Sequence, residues 1–315
     1  MKKMLSLMIV VMLAITGLEA TALPTLTSSV TQPKHPNPLT YHEELDQSMT
    51  SFDGALPLGR TNIFGYYANL SAAQSFKPQK EVLLRAQFLM GRNATTTKPC
   101  WLAVRDNLTH TDLALVSVDP SRFPVVNGTP TNPQQLAWID FNFTHLWATR
   151  NHTYYMVLYT ANLTDNYYWI SGNGSNLYLN GTVYLTINDG QTWSEFVDAD
   201  ACFKTYGLRE TFLQITNSGP SLGASWIIKN VGNVTAWDVT ASILVKGGLL
   251  GRINKTFSLL PLFQDLPPGN QTTLTMRLFG LGKITITLDV KAENVREVKI
   301  TKQAFVLGFF IIVIK

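Results

Sequence analysis

Charged residues are scarce in this sequence. Asp, Glu, Lys and Arg make up 15% of the 315 residues, whereas about 25% is usual in soluble domains. Ser, Thr and Asn take their place. The formal net charge is +4, and no block of basic residues occurs. This composition excludes nucleic acid from the partners that we expect.

Histidine and the common catalytic motifs are also lacking. The five histidines are scattered, and no H-E-x-x-H pair, G-x-S-x-G elbow, P-loop or dinucleotide fingerprint occurs. Glutamates are few, and most aspartates fall in predicted turns. We therefore predict a protein that is not an enzyme. The alternative is an extracellular hydrolase, such as a glycoside hydrolase, that uses an unrecognised pair of carboxylates.

Only two cysteines are present, Cys100 and Cys202. In an exported chain, an even pair of cysteines is compatible with a disulfide, and this one would close a long loop within one predicted domain. Two buried free thiols are an equally good interpretation. Without a cluster of histidines, the pair does not predict a zinc site.

Residues 1–22 have the pattern of a secretory signal peptide. Lys2 and Lys3 precede an apolar run from residue 5 to residue 17, and Ala20-Thr21-Ala22 fits a cleavage site. The alternative is an uncleaved membrane anchor, although the run is shorter than a membrane span prefers. Residues 23–44 are rich in Pro, Ser and Thr, which predicts an extended linker.

Sequons for N-glycosylation are abundant. Twelve of the chain's asparagines are followed two positions later by Ser or Thr. Chance would place roughly one asparagine in five in such a sequon, so sequons are about three times more frequent than expected. The pattern predicts an exported surface glycoprotein of archaeal type, with these side chains at the surface; accidental matches in a Thr-rich β protein are the alternative. The sequon asparagines are Asn69, Asn93, Asn107, Asn127, Asn142, Asn151, Asn162, Asn173, Asn180, Asn233, Asn254 and Asn270.

The mature chain reads as β throughout. In residues 45–207 apolar side chains alternate with polar ones: Ile139 and Phe141 should point inward, and Asp140 and Asn142 outward. Turn residues recur every seven to nine positions late in this region, and Asn188-Asp189-Gly190 predicts a tight hairpin with positive φ. Short, evenly spaced strands predict a β-sandwich or jelly roll.

Several short motifs make residues 45–207 resemble a jelly-roll module of secreted bacterial and archaeal proteins. The resemblance implies a β-sandwich and specifies no ligand. The motifs that carry it are Asp46-Gln47, Ala73-Gln74-Ser75-Phe76-Lys77-Pro78, Leu102-Ala103-Val104-Arg105-Asp106, Trp138-Ile139-Asp140-Phe141, Tyr154-Tyr155-Met156-Val157-Leu158, Asn166-Tyr167-Tyr168-Trp169, Asp189-Gly190-Gln191-Thr192-Trp193 and Phe203-Lys204-Thr205-Tyr206-Gly207.

Residues 208–315 continue the alternation, as in Ile284, Ile286, Leu288 and Val290. A strand ending in Lys229-Asn230-Val231-Gly232 and a later Leu266-Pro267-Pro268-Gly269 turn resemble the immunoglobulin-like family of cell-adhesion-related (CARDB-like) domains. The resemblance implies an Ig-like β-sandwich that acts as a spacer or adhesion module. The whole chain is thus predicted to be all-β, a jelly-roll sandwich followed by an Ig-like sandwich.

The apolar tail from Ala304 to Ile314 is ambiguous. Eleven residues cannot span a hydrocarbon core of about 30 Å as a helix, and Phe, Val and Ile favour a buried final strand. A membrane-seeking tail is the alternative. The chain is thus expected to be membrane-proximal only through this tail or an uncleaved signal peptide.

Two weaker sites follow from local residue patterns. Asp198 and Asp200 share one face of a strand, and with Asp189 they suggest a structural calcium ion; a solvated strand entrance is the alternative. Aromatic residues are dense between residues 154 and 184, and sugar rings bind such platforms; core packing is the alternative. The predicted ligand-binding residues are Tyr167, Tyr168, Trp169 and Tyr178.

Together these patterns predict a non-catalytic cell-surface glycoprotein that binds a glycan or a neighbouring surface protein. The alternative, from a different functional class, is a structural subunit of an envelope layer. The sequence indicates no oligomeric state.

Overall fold

The computed structural model describes residues 42–63, 66–109, 111–221, 223–259 and 265–314. The predicted signal peptide and all but the end of the predicted linker lie outside these residues. The all-β prediction is confirmed, because the regular structure within these described ranges consists of antiparallel strands and three short 3-10 turns. The described residues include no helix of the length and apolar character that crossing a membrane requires.

The chain divides into two compact units between Gly207 and Leu208. The strands of the first unit form two layers. Their bounds are β1 (Glu44–Met49), β2 (Gly54–Ile63), β3 (Tyr66–Phe76), β4 (Val82–Arg92), β5 (Cys100–Arg105), β6 (Ala114–Val118), β7 (Ala137–Trp147), β8 (Tyr154–Thr160), β9 (Asn166–Asn173), β10 (Val183–Thr186), β11 (Ser194–Phe196), β12 (Asp200–Ala201) and β13 (Phe203–Leu208).

Strand β3 connects the two layers of the first unit. Its first half pairs with β2, and its second half pairs with β8 and β10. One layer therefore contains β1, β13, β4, β7, β9 and β2, and the other contains β11, β10, β8, β5 and β6. One cluster of buried apolar side chains from both layers fills the space between them, as in a sandwich.

Alternation along the strands explains this core. On β7, Ile139 and Phe141 are buried while Asp140 and Asn142 are exposed, as the sequence predicts, because successive side chains of a strand point to opposite faces. The predicted turn is only partly right. Asp189 and Gly190 adopt positive φ angles of 55° and 83°, yet β10 and β11 are joined by a longer loop over residues 187–193.

The second unit is a smaller sandwich around its own core, which includes Trp226 and Ile286. β14, β15 and β20 form one side, β18, β17, β21 and β22 form the other, and β23 joins β14 through the pair Ser221↔Ile311. The bounds are β14 (Leu213–Ser221), β15 (Gly223–Asn230), β16 (Ala236–Trp237), β17 (Thr240–Gly247), β18 (Ile253–Leu259), β19 (Asp265–Leu266), β20 (Gln271–Met276), β21 (Gly280–Ala292), β22 (Val295–Gly308) and β23 (Phe310–Val313).

The apolar tail is a hairpin and not one buried strand. β22 turns at Gly308, whose φ is +63°, and β23 returns alongside it. Ala304, Val306 and Ile311 are buried, while the alternate side chains are exposed. The prediction of a buried strand is thus wrong for half of the tail, because a strand paired at a sheet surface buries one face only.

Candidate functional site

The four aromatic residues predicted to bind a ligand do not form an exposed platform. Tyr168 is fully buried, its ring lies 4.5 Å from that of Phe123, and its hydroxyl donates to the carbonyl of Lys98 (2.6 Å). Trp169 is only 6% exposed. Strand β9 is paired on both edges, with β2 and β4, and both of its faces are covered. The prediction is therefore wrong for these β9 residues.

Tyr178 and Tyr167 also belong to the framework. Tyr178 is buried, and its hydroxyl donates to Gln47 Oε1 (3.0 Å); burial raises its pKa to about 12. The ring of Tyr167 is half-buried and lies edge-on to that of Trp169 at 5.5 Å. Tyr178 is therefore not available for stacking, and Tyr167 packs against Trp169 with its ring only partly exposed.

The predicted calcium ligands are used separately. Asp200 is buried and accepts bonds from the backbone N–H groups of Leu177 (2.9 Å) and Tyr178 (2.8 Å), and burial raises its pKa. Asp189 accepts from Asn69 Nδ2 (2.6 Å), and Asp198 is exposed. Across the described ranges, no three His, Cys, Asp or Glu side chains are grouped to hold a metal. The calcium prediction is thus wrong, because the fold uses Asp200 to bind its own backbone.

The two cysteines are free thiols, and both are buried. Cys100 lies on β5, whereas Cys202 precedes β13 in the other layer, with Sγ 3.3 Å from the carbonyl of Ser51. Burial raises the pKa of Cys202 to about 11 and raises that of Cys100 as well. Of the two interpretations of this pair, the structure therefore favours the buried thiols over the disulfide.

Most of the sequon asparagines lie at the surface, as the sequence predicts. Nine of the twelve are exposed and three, Asn69, Asn93 and Asn173, are half-buried. The buried asparagines Asn166 and Asn230, like Asn294, lie outside sequons and bind backbone carbonyls. The nine exposed side chains therefore lie where a glycan has access to solvent. Nδ2 of two half-buried ones is already hydrogen-bonded, in Asn69 to Asp189 (2.6 Å) and in Asn173 to Ser51 (3.0 Å), and glycosylation itself stays a prediction.

A different set of aromatic residues forms an open surface on the first unit, on the outer side of β10, β3, β8 and β5. Ala73, Val157 and Ala103 stand side by side across three strands and form a floor of small side chains. Four half-buried rings pack around this floor, and a fifth, Trp101, stacks on one of them, Tyr159. We call this surface the aromatic face; its rings are Trp101, Tyr155, Tyr159, Tyr184 and Trp193.

The rings are held in fixed orientations. Trp101 and Tyr159 are cross-strand partners, and their rings stack with centroids 5.8 Å apart and planes 13° apart. Tyr155 and Tyr184 meet edge to face at 5.6 Å. Since regular strands position all four residues, the surface is preorganised.

Polar groups line the edges of the aromatic face. Arg105 Nε donates to Asp112 Oδ1 (2.6 Å), and Nη1 donates to the carbonyl of Leu108 (2.9 Å), which secures the loop after β5. The hydroxyl of Tyr184 donates to Glu195 (3.1 Å). Burial, and then the nearby acidic groups, raise the pKa values of Tyr159 and Tyr184 to about 12. Both hydroxyls are therefore neutral at physiological pH.

The outer face of the other layer has a different character. Arg85 binds Glu43 (2.8 Å) and Asp140 (2.6 Å), and its guanidinium lies 3.7 Å from the ring centre of Tyr206. This surface also carries the sequon residue Asn142. In contrast, no sequon asparagine lies in residues 71–76, 100–105, 154–160 or 183–186. Two sequons flank the aromatic face, at Asn107, which precedes Leu108 on its floor, and at Asn69, which bonds Asp189.

Sequence reasoning noted Tyr155, Tyr159 and Tyr184 among the dense aromatics but missed Trp101 and Trp193. A signal for Trp101 was present, because apolar Leu102 and Val104 alternate along β5 and share one face, so Trp101 must lie on the other. Trp193 follows the turn of Gly190, and no periodic pattern covers that loop.

Comparisons with known proteins do not identify a family. No family model matches, and no curated protein matches. Among the solved structures that align with the chain are a calcium-binding mutant of Bacteroides uniformis beta-glucuronidase 2 and a Bacteroides uniformis beta-glucuronidase. Each is 10% identical; the alignments cover 82% and 76% of this chain and 32% and 26% of those chains, with TM-scores of 0.22 and 0.19. This chain thus spans less than a third of their length, and TM-scores this low support no functional argument.

Proposed function

We propose that the protein is an exported, non-catalytic glycan-binding surface protein and that its aromatic face contacts the glycan. The observation that carries the proposal is a set of five half-buried rings on one sheet surface: four pack on a floor of small residues, and the fifth, Trp101, stacks on Tyr159. Large apolar areas on a soluble protein usually mark a binding site. Its sugar-binding character is a prediction from chemistry.

The chemistry of the aromatic face favours a sugar. Rings present apolar faces to the C–H groups of a pyranose, and neutral tyrosine hydroxyls donate or accept at its hydroxyl groups. The one charged pair at the edge, Arg105 and Asp112, is internally neutralised. A neutral or weakly charged oligosaccharide fits these groups better than a strongly charged polymer.

Export is the second part of the proposal. Twelve sequons, most of them with side chains at the surface, and residues 1–22 with the pattern of a signal peptide support it. The jelly-roll and CARDB-like resemblances belong to proteins of the cell surface, which agrees with the proposed location. In that setting the sequons would carry protective glycans outside the aromatic face.

The decisive experiment measures binding of the full chain to a glycan array, followed by affinity measurements with the best oligosaccharide. Trp101→Ala should weaken binding about tenfold or more, because an aromatic anchor at the centre of an interface contributes about 2 kcal/mol. The matched control is Trp138→Ala, which removes an indole from β7 in the other layer, where Lys204 lies 4.2 Å from the ring. It should bind like the parent.

Three outcomes would overturn the proposal. The first is that no glycan on the array binds the protein. The second is that Trp101→Ala and Trp138→Ala lose the same amount of glycan affinity. Release of reducing sugar that Glu195→Gln abolishes would instead indicate a hydrolase. Near-UV circular dichroism of each variant checks that the fold is retained, and sedimentation of an ordered assembly without glycan binding would support the envelope-layer alternative.

A further inference from the structure

One end of the second unit exposes large apolar side chains on three neighbouring connections. They are Leu249 and Leu250 between β17 and β18, Phe279 before β21, and Phe309 in the last hairpin. The rings of Phe279 and Phe309 lie 4.9 Å apart, and Gly248 N donates to the carbonyl of Lys283 on β21 (2.7 Å). We call this end the apolar tip.

The apolar tip continues a short way along the outer face of β21, β22 and β23. Leu281, Leu307 and Phe310 form one exposed cross-strand row. The next row contains Lys283, Phe305 and Ile312. Beyond it the outer face is polar at Thr285 and Gln303, whereas Ile314 beside them is apolar and exposed. At about 3.4 Å per residue, the apolar zone is about 12 Å deep, comparable to the 5–10 Å that interfacial elements insert into a bilayer.

Charge is distributed unevenly between the two ends of the unit. Residues 246–255, 277–283 and 305–312, which build the tip and the strand positions next to it, contain five Lys or Arg residues and no Asp or Glu. All five cations are exposed. The acidic residues lie elsewhere, as with Glu210, which binds Arg296 (2.7 Å) near the β21–β22 turn at the opposite end.

Backbone geometry keeps an apolar side chain at the outermost point. Leu250 is 81% exposed and has a φ of +55°, a conformation that costs a branched residue free energy and that Gly or Asn would adopt more easily. Packing in the core does not explain a leucine at this position, because the side chain is mostly in solvent. A binding partner that removes the side chain from water does explain it.

We propose that the apolar tip docks on the surface of a lipid bilayer that contains anionic lipids, with its Phe and Leu side chains inserted and its basic rim at the headgroups. A bilayer accommodates three adjacent turns and a strip of sheet without shape complementarity, and anionic headgroups match a rim without acids. The inference is independent of the glycan-binding proposal and rests on different residues.

The first test measures co-sedimentation of the full chain with vesicles of phosphatidylcholine and phosphatidylglycerol (3:1). Phe310→Ser should lower the partition coefficient about tenfold or more, because burial of a phenylalanine is lost. The matched control is Phe212→Ser, since Phe212 and Phe310 are both 58% exposed but Phe212 lies near Asn294 at the opposite end. Binding should fall in 0.5 M NaCl and with pure phosphatidylcholine.

The second test reports contact directly. Since both native cysteines are buried, Leu250→Cys can be labelled selectively with a polarity-sensitive fluorophore. Its emission should rise on adding the vesicles, while the same label at Asp265→Cys, on β19, should not respond. Equal responses at both positions, or no loss of binding in Phe310→Ser, would overturn the proposal. A dimer in sedimentation velocity that Phe310→Ser dissociates, without vesicle binding, would assign the tip to a second copy instead.

Discussion

The aromatic face of the first unit and the apolar tip of the second unit both expose apolar area, but they differ in chemistry. The rings of the aromatic face are half-buried, belong largely to regular strands and carry polar atoms such as the Tyr184 hydroxyl. The side chains of the apolar tip are Phe, Leu and Ile without polar atoms, many of them on turns. Of these two surfaces, only the apolar tip is flanked by Lys and Arg residues without Asp or Glu.

This difference teaches what kind of partner each surface suits. Fixed rings with hydroxyl groups recognise a ligand of defined shape, because stacking and hydrogen bonds are both directional. Aliphatic and phenyl side chains on turns gain free energy from any dry environment, since the hydrophobic effect is not directional. Solvent exposure alone does not distinguish the two surfaces; polar atoms and surrounding charge do.

The largest expected effect is the loss of stability when an aromatic residue of the core, and not of the aromatic face, is truncated. Tyr168→Ala should lower the free energy of unfolding of the first unit by about 3–5 kcal/mol, because a fully buried ring leaves a cavity. Unfolding in guanidinium measures this loss of stability. The control is Tyr67→Ala, which removes an exposed ring and should change the stability little. A stable Tyr168→Ala variant would mean that β9 is not part of the core.

Two substitutions test whether the surfaces act independently. Trp101→Ala should weaken glycan binding about tenfold or more and leave vesicle binding unchanged, whereas Phe310→Ser should do the reverse. The reason is that each removes area from one surface only. Measuring both variants in both assays is sufficient, and loss of both activities in one variant would refute independent surfaces.

Alkaline pH should affect the two units differently. All eleven tyrosines precede residue 207, and burial raises the pKa values of Tyr159, Tyr178 and Tyr184 to about 12. Between pH 10, where unfolded tyrosine titrates, and pH 12, the folded state holds more protons, so stability falls as pH rises. Hydrogen exchange at pH 9 and 11 should show faster opening in the first unit than in the second; an equal change would contradict this.

The smallest effect concerns the edge of the aromatic face. Asp112→Asn removes the partner of Arg105 (2.6 Å), and a partly exposed ion pair contributes only about 0.2–1 kcal/mol. Thermal unfolding should therefore shift by a few degrees at most, with a few-fold loss of glycan affinity. A loss as large as that of Trp101→Ala would mean that the loop after β5, and not the ring stack, makes the main contact.

Parts of the fold and of the site were predictable because they depend on local alternation. Ile139 and Phe141 are buried between exposed neighbours as predicted. The choice among aromatics failed because alternation assigns a residue to one of two faces without saying which face another layer covers. On β9, the adjacent Tyr168 and Trp169 are both buried, while on β8 Tyr155 and Tyr159 face outward.

The sequence by itself determined an all-β chain and the surface position of most of its sequon asparagines, since both follow from the alternation of side chains and from polarity. Only the tertiary structure decided that Asp200 serves the backbone of Leu177 and Tyr178, that both thiols stay free, and that the final apolar run folds back as a hairpin. The physical reason is that burial depends on which strands pair and stack, and those partners can lie far apart along the chain, as with Asp46 and Thr205, which are 159 residues apart.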